Sequence, residues 1–229
     1  ELGYAGGYLV NGVLGVPLFA LFGSRMIAMN VQAIAVSLCG LFLLFFLCDR
    51  YFGRKTALFA ALIYTFTPPL MTSLSLLCEG DLDYSPLLSI AMFLSFLNLM
   101  RKPKAGNYLI LGLISGFSLW HTYTNIVIVA GYTLLWFLRD RLFFLKKRYW
   151  VYWLGLAAGF APWFGFNARN NFEGLELLRD ESIGRADIPG KFWELISSGF
   201  ARMNLYHEFS AFGGSLFNAA YYAIFLLSA

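Results

Sequence analysis

The stretch at 107–138, "NYLILGLISGFSLWHTYTNIVIVAGYTLLWFL", contains no Asp, Glu, Lys or Arg and is basic on both flanks. Arg101, Lys102 and Lys104 precede it; Arg139, Arg141, Lys146, Lys147 and Arg148 follow. As one helix it would be roughly 48 Å long, against a bilayer core of about 30 Å. Basic flanks mark cytoplasmic loops, so a run flanked this way must cross an even number of times. Two short helices of about 20 Å each satisfy that, with a turn near "WHTYTN" that lies below the opposite surface. Polar backbone at such depth survives only against protein or a water-filled cavity.

The remaining apolar runs extend the pattern. The chain is 59% hydrophobic and 13% charged, where soluble domains carry about 25% charged residues. The expectation is an all-α polytopic membrane protein in a single transmembrane domain over 1–229. Spans are predicted at 28–48, at 56–77 with Pro68 and Pro69 kinking it or ending it early, at 85–100, twice within 107–138, and at 149–166. That makes about six membrane helices over 28–166. Segment 1–27 reads as an outer interfacial segment. Segment 167–210 reads as an outer loop, with an interfacial helix at "KFWELISSGFARM". Segment 211–229 begins a further span. With no initiator Met and a last apolar run that stops partway, the chain is expected to be a fragment cut at both ends.

Charge placement gives the orientation. Eleven of the seventeen Lys and Arg residues fall in the three inferred cytoplasmic loops. Of thirteen acids, Asp49 and Asp140 alone share those loops. Basic residues that flank apolar runs are topology signals rather than a nucleic-acid surface. The cysteines, Cys39, Cys48 and Cys78, show no disulfide or metal spacing.

The outward acids concentrate in "LCEGDLDYS", with Glu79, Asp81 and Asp83 within five residues between two hydrophobic runs. They read either as a solvated loop or as the lining of a polar site at the bilayer surface, where ionisable groups are costly without a task. Their oxygens also suit a divalent cation, although the spacing of a calcium loop is absent. Arg25 reads as an interfacial anchor or as a partner for an anionic headgroup or substrate phosphate. His121, in the turn, reads as a hydrogen-bonded structural residue or as a proton carrier or phosphate donor. "FNARNN", with Asn167 and Arg169, reads as a helix cap or as a polar rim with Arg169 on a phosphate. No nucleotide-binding loop is present, so an enzyme of this kind needs a donor delivered through the membrane.

Five stretches in order resemble membrane glycosyltransferases of the GT-C fold: "GYAGGYLVNGVLGVPLFALFGSR", "CDRYFGRKTALFAALIYTFTPP", "GDLDYSPLLSIAMFLSFLNLM", "LGLISGFSLWHTYTNIVIV" and "GLAAGFAPWFGFNARNNFEG". Together they cover roughly residues 3–172, and the nearest branch is the protein-mannosyltransferase-like group, glycosyltransferase family 39. The resemblance implies an inverting hexosyl- or pentosyltransferase in a bacterial-type inner membrane. It takes a sugar from a polyprenyl-phosphate donor and passes it to an acceptor glycan, lipid or protein on the outer face. It places the catalytic carboxylate in the first outer loop, upstream of Glu1. Glu79 and Asp81 then shape the donor or acceptor site. Where the family often carries Arg before its second acidic stretch this chain has "CEGD", which shifts phosphate binding to Arg25, His121 or Arg169. A transporter or flippase for a lipid-linked or small polar substrate is the rival reading; such proteins tend toward internal repeats and midplane polar groups, and neither is visible.

Overall fold

The computed structural model describes residues 6–23, 26–66 and 84–172. The uncharged run divides as its flanks require, into α5 (Ala105–His121) and α6 (Ile126–Arg139), joined by Thr122 and a single 3-10 turn at Tyr123–Asn125. Thr122 breaks α5 by turning extended, at φ −149° and ψ 130°. Both ends of the turn are packed inside protein: His121 and Thr122 are fully buried and Asn125 is 1% exposed, while Thr124 between them is exposed.

Before this hairpin come α1 (Gly7–Phe22), α2 (Met26–Phe52), α3 (Arg54–Thr65) and α4 (Ser85–Arg101); after it come α7 (Lys147–Gly159) and α8 (Ala161–Arg169). No strand occurs among the described residues. Gly53, at φ 91°, makes the reversal from α2 to α3, a backbone conformation that a Cβ disfavours. Helix α3 stops at Thr65, before the proline pair; the rest of the span predicted at 56–77 lies outside the described residues. So do the interfacial helix predicted within 167–210 and the apolar run after 211.

The run read as a span at 149–166 is helical with one break. It is two helices, interrupted at Phe160. Pro162 lacks an N–H and its ring collides with the carbonyl four residues back, so α7 ends and α8 restarts with the proline in its first turn.

Helices α5 and α7 run parallel and meet through glycines. Gly112 and Gly116 on α5 face Gly155 and Gly159 on α7, so closely that a Cβ on any of the four would strike backbone atoms of the other helix. Small residues four apart let helix backbones approach in this way. Beside this contact Ser115, Tyr132 and Tyr152 form a buried hydroxyl chain, 2.6 Å and 2.7 Å between successive oxygens. Nearer the basic loops the interior is aromatic: Trp136 stacks on Phe143 at 5.3 Å, and Phe143 meets Tyr149 edge-on at 4.6 Å.

Neutral polar side chains share the interior with the apolar core, and large apolar side chains lie outside. Asn11, Gln32, Ser115, Ser118, His121, Thr122, Asn125 and Asn167 are buried, while Leu21, Phe42, Val127 and Leu154 are 68–77% exposed. Among the described residues Met26–Phe52 is the one helix long and apolar enough to cross a bilayer by itself.

Candidate functional site

The bundle has two chemically different ends. At one, Tyr51 of α2 donates to Asn98 of α4 at 2.6 Å and Arg148 donates to the Pro103 carbonyl at 2.7 Å, which gathers all three basic loops. At the other lies the buried turn, and the neutral polar side chains of five helices or their flanks converge on it.

Asn125 is the hub of that end. Its amide Nδ2 donates to Ser118 of α5 at 2.6 Å, and its Oδ1 accepts from Ser85 at 2.7 Å and Ser89 at 3.3 Å, both on α4. Beside it Tyr84, immediately before α4, holds its ring 5.1 Å from the His121 imidazole. The Tyr84 hydroxyl accepts from Gln32 of α2 at 3.1 Å, and the same Gln32 amide reaches the Asn11 side chain of α1 at 3.2 Å. Gly6 donates its backbone N–H to the Trp120 carbonyl at 2.7 Å, tying the start of α1 to the end of α5. On the far side Trp163 of α8 donates to the Tyr123 hydroxyl at 3.0 Å. Pro86 in the first turn of α4 supplies the φ that a helix start needs, so Tyr84 and Ser85 are set by local sequence.

Of the residues singled out from sequence, this arrangement places His121 at the centre of the turn end. Asn167 lies one turn beyond Trp163 on α8, fully buried, and donates Nδ2 to the Trp163 carbonyl at 3.0 Å. Arg169 is exposed; two residues on, it projects from roughly the opposite face of the helix from Asn167. Arg25, Glu79 and Asp81 lie outside the described residues. Asp83 is the chain neighbour of Tyr84, so the acidic stretch is joined covalently to a residue packed on His121. No grouping of His, Cys, Asp and Glu suited to a metal ion occurs among the described residues.

Sequence reasoning passed over Asn11, Gln32, Tyr84 and Asn125. The readable signal was an amide inside an apolar run, costly in hydrocarbon unless it faces the bundle interior. Replacing Asn125 with Leu is expected to lower stability by about 1–3 kcal/mol, the cost of leaving the buried Ser118 hydroxyl without its partner, with the half-buried Ser85 and Ser89 recovering theirs on water or their own helix carbonyls. Thermal unfolding in detergent measures it; an unchanged midpoint would mean that the hub carries no stability.

The family model described as dolichyl-phosphate-mannose-protein mannosyltransferase matches residues 16–166. The chain belongs to this family. It is a glycosyltransferase of the mannosyltransferase type, from a family integral to membranes. The match runs from the middle of α1 into α8 and takes in Arg25, the acidic stretch and the buried turn, while Asn167 and Arg169 fall just beyond it. Nothing in it favours a transporter. No curated protein and no solved structure matches the chain.

Proposed function

We propose that this mannosyltransferase-family chain is a multi-pass, GT-C-type enzyme of the inner (plasma) membrane. It moves a hexose or pentose from a polyprenyl-phosphate donor to a glycan, lipid or protein acceptor on the outer face. The observation that carries the reading is a single family match through the acidic stretch, α4 and the buried turn, together with the packing of His121 on Tyr84. The exposed apolar side chains on α1, α2, α6 and α7, such as Leu21, Phe42, Val127 and Leu154, support a lipid-facing bundle. The positive-inside bias puts the basic end in the cytoplasm and so turns the buried turn outward.

The roles follow from the reaction. Departure of polyprenyl phosphate leaves negative charge that cations must stabilise, a task for Arg25 and Arg169, with His121 as a hydrogen-bond donor. The acceptor hydroxyl needs a carboxylate to take its proton. Glu79 and Asp81 grip sugar hydroxyls at the water boundary, and Asn167 forms part of the wall behind the turn. The lipid tail of the donor lies along the apolar helices.

The test is transfer in proteoliposomes holding the full protein and radiolabelled polyprenyl-phosphate mannose, with a membrane-impermeant acceptor on one side at a time. Label is expected on acceptor at the face that carries the buried turn. No transfer from this donor where a radiolabelled nucleotide sugar in its place does give transfer, or transfer solely at the basic face, would remove the reading.

A further inference from the structure

The basic end holds a cleft of about 440 Å³ lined by Arg50, Asn98, Arg101, Lys102 and Asn107. Its walls are organised. The Arg101 guanidinium lies 4.0 Å from the Tyr51 ring centroid and that of Arg50 lies 6.0 Å from the same centroid. The Tyr51 hydroxyl is itself held by Asn98 at 2.6 Å. Asn107 donates to the Lys102 carbonyl at 2.6 Å, which fixes the strap between α4 and α5.

Three cations therefore line one concavity, and among the described residues no carboxylate shares it. The two described carboxylates are engaged elsewhere: Asp49 with Arg54 at 3.8 Å, and Asp140 with Lys146. Hydrogen bonding from Lys146 holds the Asp140 carboxyl below the usual carboxylate range. Among the described residues Arg50, Arg101 and Lys102 make no ion pair. Topology alone asks for basic residues somewhere in these loops. It does not ask that two guanidinium groups adjoin one tyrosine ring at the rim of a shared cleft.

We propose that this cleft binds the phosphate group of an anionic membrane lipid, at a site separate from sugar transfer. Guanidinium forks match phosphate oxygens bidentately, and the Asn98 and Asn107 amides suit the hydroxyls of a headgroup. The cleft has the volume of a small-molecule pocket rather than of a bare-ion site. Basic pockets between helices on the cytoplasmic side are where lipid phosphates collect. The site lies at the opposite end of α4 from Tyr84, about 25 Å along a 17-residue helix. The phosphate chemistry is independent of the transfer reading; the lipid source rests on the membrane placement.

The test uses the whole protein in nanodiscs of phosphatidylcholine with and without phosphatidylglycerol, read by native mass spectrometry and by thermal unfolding. Phosphatidylglycerol is expected to be retained and to raise the unfolding midpoint. R50Q/R101Q is expected to weaken retention about tenfold, the factor that corresponds to ~1.4 kcal/mol. Should that pair fail to fold, K102Q, which removes one cation at the strap, is expected to weaken retention in the same direction. K55Q/R141Q removes equal charge outside the cleft and is expected to retain lipid. Equal loss in that control, or no difference between the two lipids, would overturn the site. Protection by inorganic phosphate in phosphatidylcholine discs that matches phosphatidylglycerol would keep the phosphate site and overturn the lipid as its source.

Discussion

Gly116→Ala is expected to destabilise the protein, and Gly116→Leu to abolish the folded state, although both substitutions favour helix formation. A Cβ at Gly116 would stand 2.8 Å from the Phe160 nitrogen and closer still to the Leu156 carbonyl oxygen. Both are backbone atoms, so no side chain can rotate out of the way. Overpacking ordinarily costs ~1–3 kcal/mol. With a rigid obstacle the cost falls at the upper end, above the ~1 kcal/mol that replacing a helical glycine with alanine returns. Relief requires α5 and α7 to part along their whole contact, because Gly112, Gly155 and Gly159 are equally tight. Gly131 on α6 is the matched control, since an added Cβ there meets nothing within 4 Å. Gly131→Ala is expected to be neutral or stabilising by up to ~1 kcal/mol. Thermal unfolding in detergent and size-exclusion homogeneity separate the pair; if the two alanine variants behave alike, the glycine contact does not hold α5 to α7.

Glu79→Ala/Asp81→Ala is expected to cut sugar transfer by about one to two decades or more, with the unfolding midpoint unchanged. A hydrogen bond to a charged group is worth ~1.5–3 kcal/mol, and each 1.36 kcal/mol of transition-state stabilisation is about tenfold in rate. On the proposed role, in which Glu79 and Asp81 grip sugar hydroxyls, their loss should therefore show in turnover rather than in folding. Asp140→Asn supplies the comparison. Asp140 closes α6 at the basic end, paired with Lys146, and its loss is expected to leave transfer intact. The assay is turnover from polyprenyl-phosphate sugar by each purified variant. Full activity in the double variant would take Glu79 and Asp81 out of the site, while equal loss in Asp140→Asn would point to a general charge effect.

The division of the run at 107–138 was legible because it follows from one-dimensional quantities, length against bilayer thickness and the sign of the flanks. The break at Phe160 was legible in principle from Pro162 but hidden by the continuous apolarity of 149–166. His121 stood out as a lone imidazole in a turn. Asn125, four residues on, is the hub of that turn, and its partners Ser85, Ser89 and Ser118 come from two other helices. Their serine hydroxyls carry no periodic signature, since serine fits into membrane helices at little cost.

Hydropathy and charge order by themselves determined that the chain is helical, that its basic loops share one end, and where the reversal between α5 and α6 falls. Each depends on transfer free energies summed along a segment, which neighbours in space hardly alter. The tertiary structure alone decided that α5 and α7 pack through four glycines, that Tyr84 lies on His121, and that Arg50 and Arg101 adjoin one tyrosine ring. These depend on which helix faces meet and in what register, and contact energies fall off within a few ångströms, so positions far apart in sequence couple only once the helices are packed.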